Sequence, residues 1–180
     1  MTIQPRLVVT GRRPDDTSVV LSDGPVEPIT VGAIPGSEFY LLWGTEDGHA
    51  TVGNKPTEPK ILPFFAGTGG TRFLLARYAP ESRTPEPAGD PALLAAEVAE
   101  KLPGLTDVLE PDGAGMHTTD TLDYAICLEG ELHLELDDGA EVRLTPGTCV
   151  VQQGTRHNWH NRGDKPALMC FIGIGAAREA

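Results

Sequence analysis

The sequence has no apolar run long enough to span a bilayer, and it lacks the positively charged, apolar N-terminal pattern of a secretion signal. Residues 2–20 instead mix apolar, polar and charged side chains, including two adjacent arginines and two adjacent aspartates. We therefore expect no membrane partner and a cytoplasmic location.

Cysteine is scarce, with 3 residues in a chain of 180. Cys127, Cys149 and Cys170 all lie within apolar, strand-like runs. An odd count without paired spacing argues against a disulfide framework and favours a reducing compartment. We expect each thiol to be a small buried side chain rather than a nucleophile.

Basic residues are also few. Fourteen Lys and Arg stand against 26 Asp and Glu, which gives a formal net charge of -12. Such a charge is repelled by the phosphates of nucleic acids and of anionic membranes. We therefore expect a small-molecule partner rather than a nucleic acid.

Glycine and proline, by contrast, are abundant, with 21 and 16 residues. They are typical of many short strands joined by turns, and 180 residues suffice for one core. We expect a single all-β domain. Residues 1–110 would supply N-terminal strands, a proline-rich loop and a short helix that complete a barrel, and residues 111–180 would carry the site.

Sequence patterns predict individual strands. Polar and apolar residues alternate at 131–136 and 141–144, and 167–174 is a nearly continuous apolar run. The other strand candidates fall at 7–10, 18–21, 38–43, 71–78 and 148–152. Asp90 and Pro91 form an N-cap followed by proline at the first helical position, which predicts a helix over 92–102. We expect this helix to pack at the edge of the barrel; the alternative is a mobile lid.

Two stretches carry the candidate chemistry. In the first, His117 and Asp123 lie six residues apart in a strand-like segment, with Thr119 and Thr121 between them. Side chains an even number of residues apart share one face of a strand. The second stretch adds His157 after a glycine turn. Two imidazoles and one carboxylate that converge inside a β-barrel would form a metal site with open positions.

The first stretch resembles the first motif of the cupin family, and the whole resemblance covers roughly residues 111–175. His117 stands at the first histidine of that motif, Asp123 stands where the family has a glutamate, and Gly130 closes the motif.

The second stretch is similar to the second cupin motif. Gly154, His157 and Asn161 match it, while Gln152 replaces a proline. The resemblance implies a jelly-roll β-barrel with additional N-terminal strands. It also implies a homodimer, because cupins commonly pair through such strands.

Two departures alter the metal site that the resemblance implies. Thr119 occupies the position of the second histidine, and Asp123 is one methylene shorter than glutamate. The ligand set is thereby reduced to His117, Asp123 and His157, and we expect Thr119 to hold a water. Zinc, iron, manganese or nickel would suit these ligands. The alternative is no metal, with a His–Asp pair as acid and base.

Strand parity also nominates substrate contacts. These are Thr119, Thr121, Gln153 and Trp159. Of the two adjacent glutamines, Gln153 shares parity with His157, although the intervening glycine turn leaves that phase open. Trp159 could equally be an ordinary core side chain.

Three functions follow as hypotheses. The first is a metal-assisted, non-redox lyase or isomerase that performs dehydration, decarboxylation or cyclisation on an oxygenated small metabolite, as in secondary metabolism. The second is a non-haem iron(II) dioxygenase with a two-histidine, one-carboxylate site. The third is a non-catalytic barrel that binds a small ligand.

Overall fold

The computed structural model describes residues 2–52, 58–111 and 115–179. Within these residues the chain forms ten strands and one α-helix. The elements are β1 (Arg6–Arg12), β2 (Ser18–Pro25), β3 (Ser37–Thr45), β4 (Thr71–Tyr78), α1 (Pro91–Lys101), β5 (Thr121–Glu129), β6 (Leu132–Glu135), β7 (Glu141–Leu144), β8 (Cys149–Gln153), β9 (Asn158–His160) and β10 (Ala167–Gly175). None of the helices in the described ranges is long and apolar enough to cross a membrane.

Two antiparallel sheets form the body of the protein. The larger has the strand order β3-β4-β10-β5-β8, the smaller has the order β7-β6-β9, and β1 and β2 form a separate hairpin. A shared core connects the two sheets, in which Ala125 and Met169 of the larger pack with Leu132 and Leu144 of the smaller. This arrangement confirms the predicted all-β jelly-roll fold with additional N-terminal strands and one short helix.

The first motif departs from the predicted continuous strand. β5 begins only at Thr121, while His117 forms isolated bridges to Leu109 and His157. The prediction that one strand runs through His117 is therefore wrong. The backbone of His117 pairs with that of His157 in the second motif, whereas β5 pairs with β10 and β8.

Helix α1 starts and packs as predicted. The carboxylate of Asp90 accepts a hydrogen bond from the Ala92 amide at 2.8 Å, and proline opens the helix. Val98 and Leu102 are buried against Phe39 and other core residues of the larger sheet. The helix is therefore a packing element at one end of this sheet.

The cysteines are placed differently from one another. Cys127 and Cys170 are buried as expected, but Cys149 is exposed. It opens β8, which lies at the edge of the larger sheet and has only β5 as a neighbour. The expectation of burial is wrong for this one residue.

The segment before β4 lies against β3 through a close backbone approach at Gly44. The Lys60 amide donates to the Gly44 carbonyl at 3.1 Å. A Cβ on Gly44 would lie 2.0 Å from the Lys60 carbonyl oxygen. We expect Gly44→Ala to lower the free energy of unfolding by about 1–3 kcal/mol, as overpacking does, measured by urea denaturation.

Gly24→Ala is the matched control, because a Cβ at this strand position would meet nothing within 4 Å among the described residues. We expect its stability to be unchanged or slightly raised. Equal denaturation midpoints for the two variants would contradict the close approach at Gly44.

Candidate functional site

A cavity of about 510 Å³ is lined by residues from both halves of the chain. Its lining contains aromatic side chains, which are Phe39, Phe64, Phe65, Tyr78, Trp159 and Phe171. It also contains a polar group, which comprises His117, Thr119, Thr121, Asp123, Gln152 and His157. A cavity of this size with a few polar groups among aromatic ones is typical of a small-molecule site.

His117 and His157 form a pair within this cavity. Each backbone amide donates to the carbonyl of the other residue at 2.9 Å. The two imidazole rings consequently lie side by side, with centroids 4.1 Å apart and planes 53° apart. The backbone bridge between the two motifs therefore positions both rings.

The hydrogen bonds of the rings define their protonation. Nδ1 of His117 lies 3.0 Å from the Gly115 carbonyl oxygen, and Nδ1 of His157 lies 2.8 Å from that of Thr155. A carbonyl only accepts, so each Nδ1 carries the proton and donates it. In the neutral rings, Nε2 keeps a free lone pair.

Both rings are neutral at pH 7, because the pKa of each is lowered from its ordinary value. Burial lowers the pKa of His117 below its ordinary value. Burial and the neighbouring His117 lower the pKa of His157 to about 4. Desolvation disfavours the charged form of an imidazole, and a second imidazolium at this distance would be repelled.

A short chain of hydroxyl groups ends at Asp123. Thr121 Oγ1 donates to Asp123 Oδ2 at 2.5 Å, so its oxygen can accept a hydrogen bond from Thr119 Oγ1 at 2.7 Å. Burial raises the pKa of Asp123, and the bond from Thr121 opposes this rise in part. The hydroxyl of Thr119, expected to hold a water, is thus bonded to Thr121.

Comparison with known families identifies this region. Residues 107–173 match the family model described as Cupin domain. The segment includes the histidine pair and the hydroxyl chain. Residues 107–173 are a cupin domain.

Two relatives of the cupin domain are named as a biosynthesis cluster protein and as an oxidoreductase. Phomopsin biosynthesis cluster protein C' of Diaporthe leptostromiformis is 41% identical over 73 residues, which cover 40% of this chain and 39% of the relative. Cupin-domain-containing oxidoreductase virC of Hypocrea virens is 38% identical over 60 residues, which cover 32% of this chain and 31% of that protein. The matches therefore span well under half of each relative.

Among solved structures, the chain is similar to a Cupin 2 conserved barrel domain protein from Salinispora arenicola. The two are 18% identical with a TM-score of 0.37, and the match covers 59% of this chain and 64% of that one.

Most of the predicted site residues of the cupin domain line the cavity, with one exception. The prediction for Gln153 is wrong, because this side chain is exposed, whereas Gln152 is 5% exposed and lines the cavity opposite Asp123. Gly154 has a φ of +59° and ends the alternation of β8. The alternation of inward and outward side chains is therefore interrupted between the two glutamines and His157.

The predicted three-residue metal site is not assembled. Among the residues that the structure describes, no three histidine, cysteine or carboxylate side chains are grouped so that they could hold one metal. Asp123 is hydrogen-bonded to Thr121 instead. The two histidines fit a divalent metal, because Nε2 makes no hydrogen bond within the described ranges and Nδ1 donates to a carbonyl, as in most metal-binding histidines.

Part of the cavity lining lies outside the cupin domain and was not predicted from the sequence. Arg72 lines the cavity with Leu74, Ala76 and Tyr78 of β4. The alternation of this strand could have nominated Arg72. Phe64 precedes β4 in an irregular segment, where no periodic signal indicates its orientation.

Proposed function

We propose that the protein is an enzyme that catalyses a non-redox proton transfer, as in a lyase or isomerase reaction, on a small oxygenated metabolite. One observation carries the proposal: two neutral imidazoles and a half-buried carboxylate line the same aromatic cavity. The relative named as a biosynthesis cluster protein supports a role in a biosynthetic pathway of secondary metabolism.

The histidine pair would hold a divalent cation such as zinc, iron, manganese or nickel. Nε2 of His117 and Nε2 of His157 are the atoms that would bind it, since each Nδ1 is committed to a carbonyl. When bound, the cation would act as a Lewis acid on a carbonyl or enolate oxygen of the substrate.

Asp123 would move the proton. Its raised pKa lies closer to the operating range of a general base than that of an ordinary aspartate. The hydroxyl of Thr121 holds the carboxylate in place through Oδ2. Trp159 packs edge-on against His157, with ring centroids 5.5 Å apart.

An oxidoreductase is the second candidate. Two relatives, 38% and 37% identical over 60 residues each, carry this name. Iron(II) on the two histidines would support dioxygenase chemistry if a carboxylate or the substrate completed the site. Oxygen consumption that depends on iron(II) would favour this candidate.

Hydrogen–deuterium exchange tests the proton transfer without knowledge of the natural substrate. Phenylacetone and phenylpyruvate carry exchangeable hydrogens next to a carbonyl and contain an aromatic ring for the cavity. We expect the protein, supplied in turn with zinc, manganese, nickel and iron(II), to accelerate their exchange in deuterated water, followed by proton NMR. His117→Ala/His157→Ala should lose both the metal and the acceleration.

The other outcomes separate the candidates. Iron(II)-dependent oxygen uptake without exchange would replace the proposal by the oxidoreductase. Probe binding without exchange or oxygen uptake would indicate a non-catalytic binding barrel. Stoichiometric metal retained by the double variant would contradict the histidine pair as the ligands.

The homodimer stays a prediction. Apolar side chains are exposed on the β1–β2 hairpin, where Val8 is 48% and Val20 is 61% exposed. This supports pairing of two copies through the N-terminal strands.

A further inference from the structure

Strand β4 contains two buried arginines on opposite faces of the sheet. Arg72 is 4% and Arg77 is 7% exposed. Arg77 faces away from the large cavity and forms ion pairs with Glu38 at 3.1 Å and Glu129 at 3.4 Å. Arg72 lines the cavity, and its hydrogen-bond partners are backbone carbonyls instead of carboxylates.

Among the described residues, Arg72 is bonded only to neutral backbone groups. Its Nε donates to the Pro63 carbonyl at 2.7 Å, and its Nη1 donates to the carbonyls of Thr45 at 3.1 Å and Thr71 at 2.7 Å. These bonds fix the guanidinium in place. They leave Nη2 without a hydrogen bond in the described part of the chain.

The free nitrogen faces open space. No fully buried side-chain nitrogen or oxygen among the described residues lacks a hydrogen-bond partner. Nη2 of Arg72 is therefore not sealed within the protein. Arg72 lines the cavity, which is the open space that the structure shows beside this residue.

The nearest carboxylates act on Arg72 only from a distance. Asp47 and Glu46 raise its pKa while burial, the larger effect, lowers it. Asp47 accepts a hydrogen bond from the Gly67 amide at 2.9 Å, and Glu46 lies 3.5 Å from Lys60. Within the described ranges, Arg72 is thus a buried cation without an ion pair, a state that an anion would stabilise.

Gly173 leaves the cavity floor open between Arg72 and Asp123. On β10 it pairs with Arg72 on one side and with Asp123 on the other. A Cβ there would lie 3.0 Å from Asp123 Oδ1. A ligand bound to the guanidinium can therefore extend over Gly173 toward Asp123.

We infer that Arg72 binds the carboxylate of the substrate, so that the cavity accepts an aromatic or apolar carboxylic acid. The substrate role rests on the proposed function, whereas the binding does not. Arg72 is the only lysine or arginine among the described lining residues, and Glu81 and Asp123 also line the cavity. A dianionic phosphate is disfavoured by these carboxylates, while a single carboxylate matches one guanidinium.

Phenylacetate and phenylacetamide test the inference, because they differ only in the carboxylate. Binding is measured by calorimetry and protein NMR at pH 7 on protein freed of metal by chelation, so that a metal cannot bind the carboxylate. We expect the wild type to bind the acid at least about tenfold more tightly than the amide, as for a charge-assisted hydrogen bond. Arg72→Gln should abolish this preference, and Arg72→Lys should retain part of it.

One control makes the result specific. Arg143→Gln removes the same charge from an exposed site on β7, where Arg143 pairs with Glu131, and should keep the preference. Equal wild-type binding of acid and amide, absence of acid binding at millimolar concentration, or a preference that survives Arg72→Gln would each overturn the inference.

If Arg72→Gln does not fold, the inference can still be tested on the wild-type protein, by following the NMR chemical shift of the ligand's carboxyl carbon as the pH is changed. In wild-type protein, phenylacetate labelled at the carboxyl carbon should show a lower pKa when bound than when free, because the guanidinium stabilises the anion. An unchanged or higher pKa of the bound acid would overturn the inference. Acid preference without exchange of the ketone probes would contradict the proposed function but leave the carboxylate site intact.

Discussion

Replacement of Asp123 by asparagine is expected to slow exchange of the phenylacetone hydrogens by about 10²–10⁴-fold, the usual contribution of a general base. Asparagine has nearly the same volume and keeps an oxygen that accepts the hydrogen bond from Thr121. It cannot take up the proton. The fold should therefore be retained while the proton transfer is lost, which proton NMR in deuterated water and a thermal melt measure together.

Asp120→Asn is the matched control, since it removes the same charge three residues away. Asp120 is exposed and accepts a hydrogen bond from Arg178 Nε at 2.6 Å, outside the cavity. We expect its exchange rate to equal that of the wild type. Exchange by Asp123→Asn at the wild-type rate would assign the proton transfer to another group.

The pH profile of exchange gives a second readout for Asp123. Because burial raises the pKa of this carboxyl, the acid limb of the rate profile should lie at a pH above the usual pKa range of an aspartate. The limb should disappear in Asp123→Asn. A purely structural role of Asp123 would lower the rate without removing this limb.

The strands were largely predictable because one face of each sheet is buried. Strand β7 (Glu141–Leu144) and strand β4 (Thr71–Tyr78) have the predicted bounds, and in β7 polar and apolar residues alternate. Strand parity also correctly brought Thr119, Thr121 and Asp123 to one cavity.

Parity failed where the backbone leaves the sheet. Gly154 adopts a left-handed conformation between β8 and His157, so the alternation that favoured Gln153 over Gln152 does not continue across it. The orientation of Phe64 depends on backbone contacts of an irregular segment. Such contacts are long-range and leave no periodic pattern in the sequence.

The metal site shows a different limit. Motif spacing predicted that His117, His157 and Asp123 share a cavity, and they do. It did not predict that the carboxylate of Asp123 would be hydrogen-bonded to Thr121, or that no three candidate ligands would be grouped around one metal position in the described part of the chain. Sequence spacing does not specify side-chain hydrogen bonds or the distances between ligand atoms.

The metal-free protein is expected to lose on the order of 3 kcal/mol of stability through His157 as the pH falls from 6.5 to 4. The unfolded chain has the ordinary pKa of 6.5, while the folded state has a pKa of about 4. Between these values the unfolded state binds more protons. The stabilising contribution is therefore present above pH 6.5 and is lost as the pH falls. The lowered pKa of His117 acts with the same sign.

The contribution of Asp123 to stability changes with pH in the direction opposite to that of the histidines. The two contributions therefore have to be measured separately. Its folded pKa is raised, so its contribution is present below the unfolded value and is lost as the pH rises through the folded one. Urea denaturation across this pH range, after removal of metal by chelation, measures the sum. His157→Asn should flatten the slope, whereas His49→Asn, at an exposed position, should leave it unchanged. An unaltered slope in His157→Asn would contradict the depressed pKa.

The same linkage bears on metal binding, because an imidazole must be deprotonated to bind a cation. A histidine with a pKa of about 4 meets little competition from protons above that value. Metal held by His117 and His157 should therefore survive to a lower pH than metal on solvated histidines. Desolvation by the aromatic lining, which weakens the folded state in acid, would then maintain the site over a wider pH range.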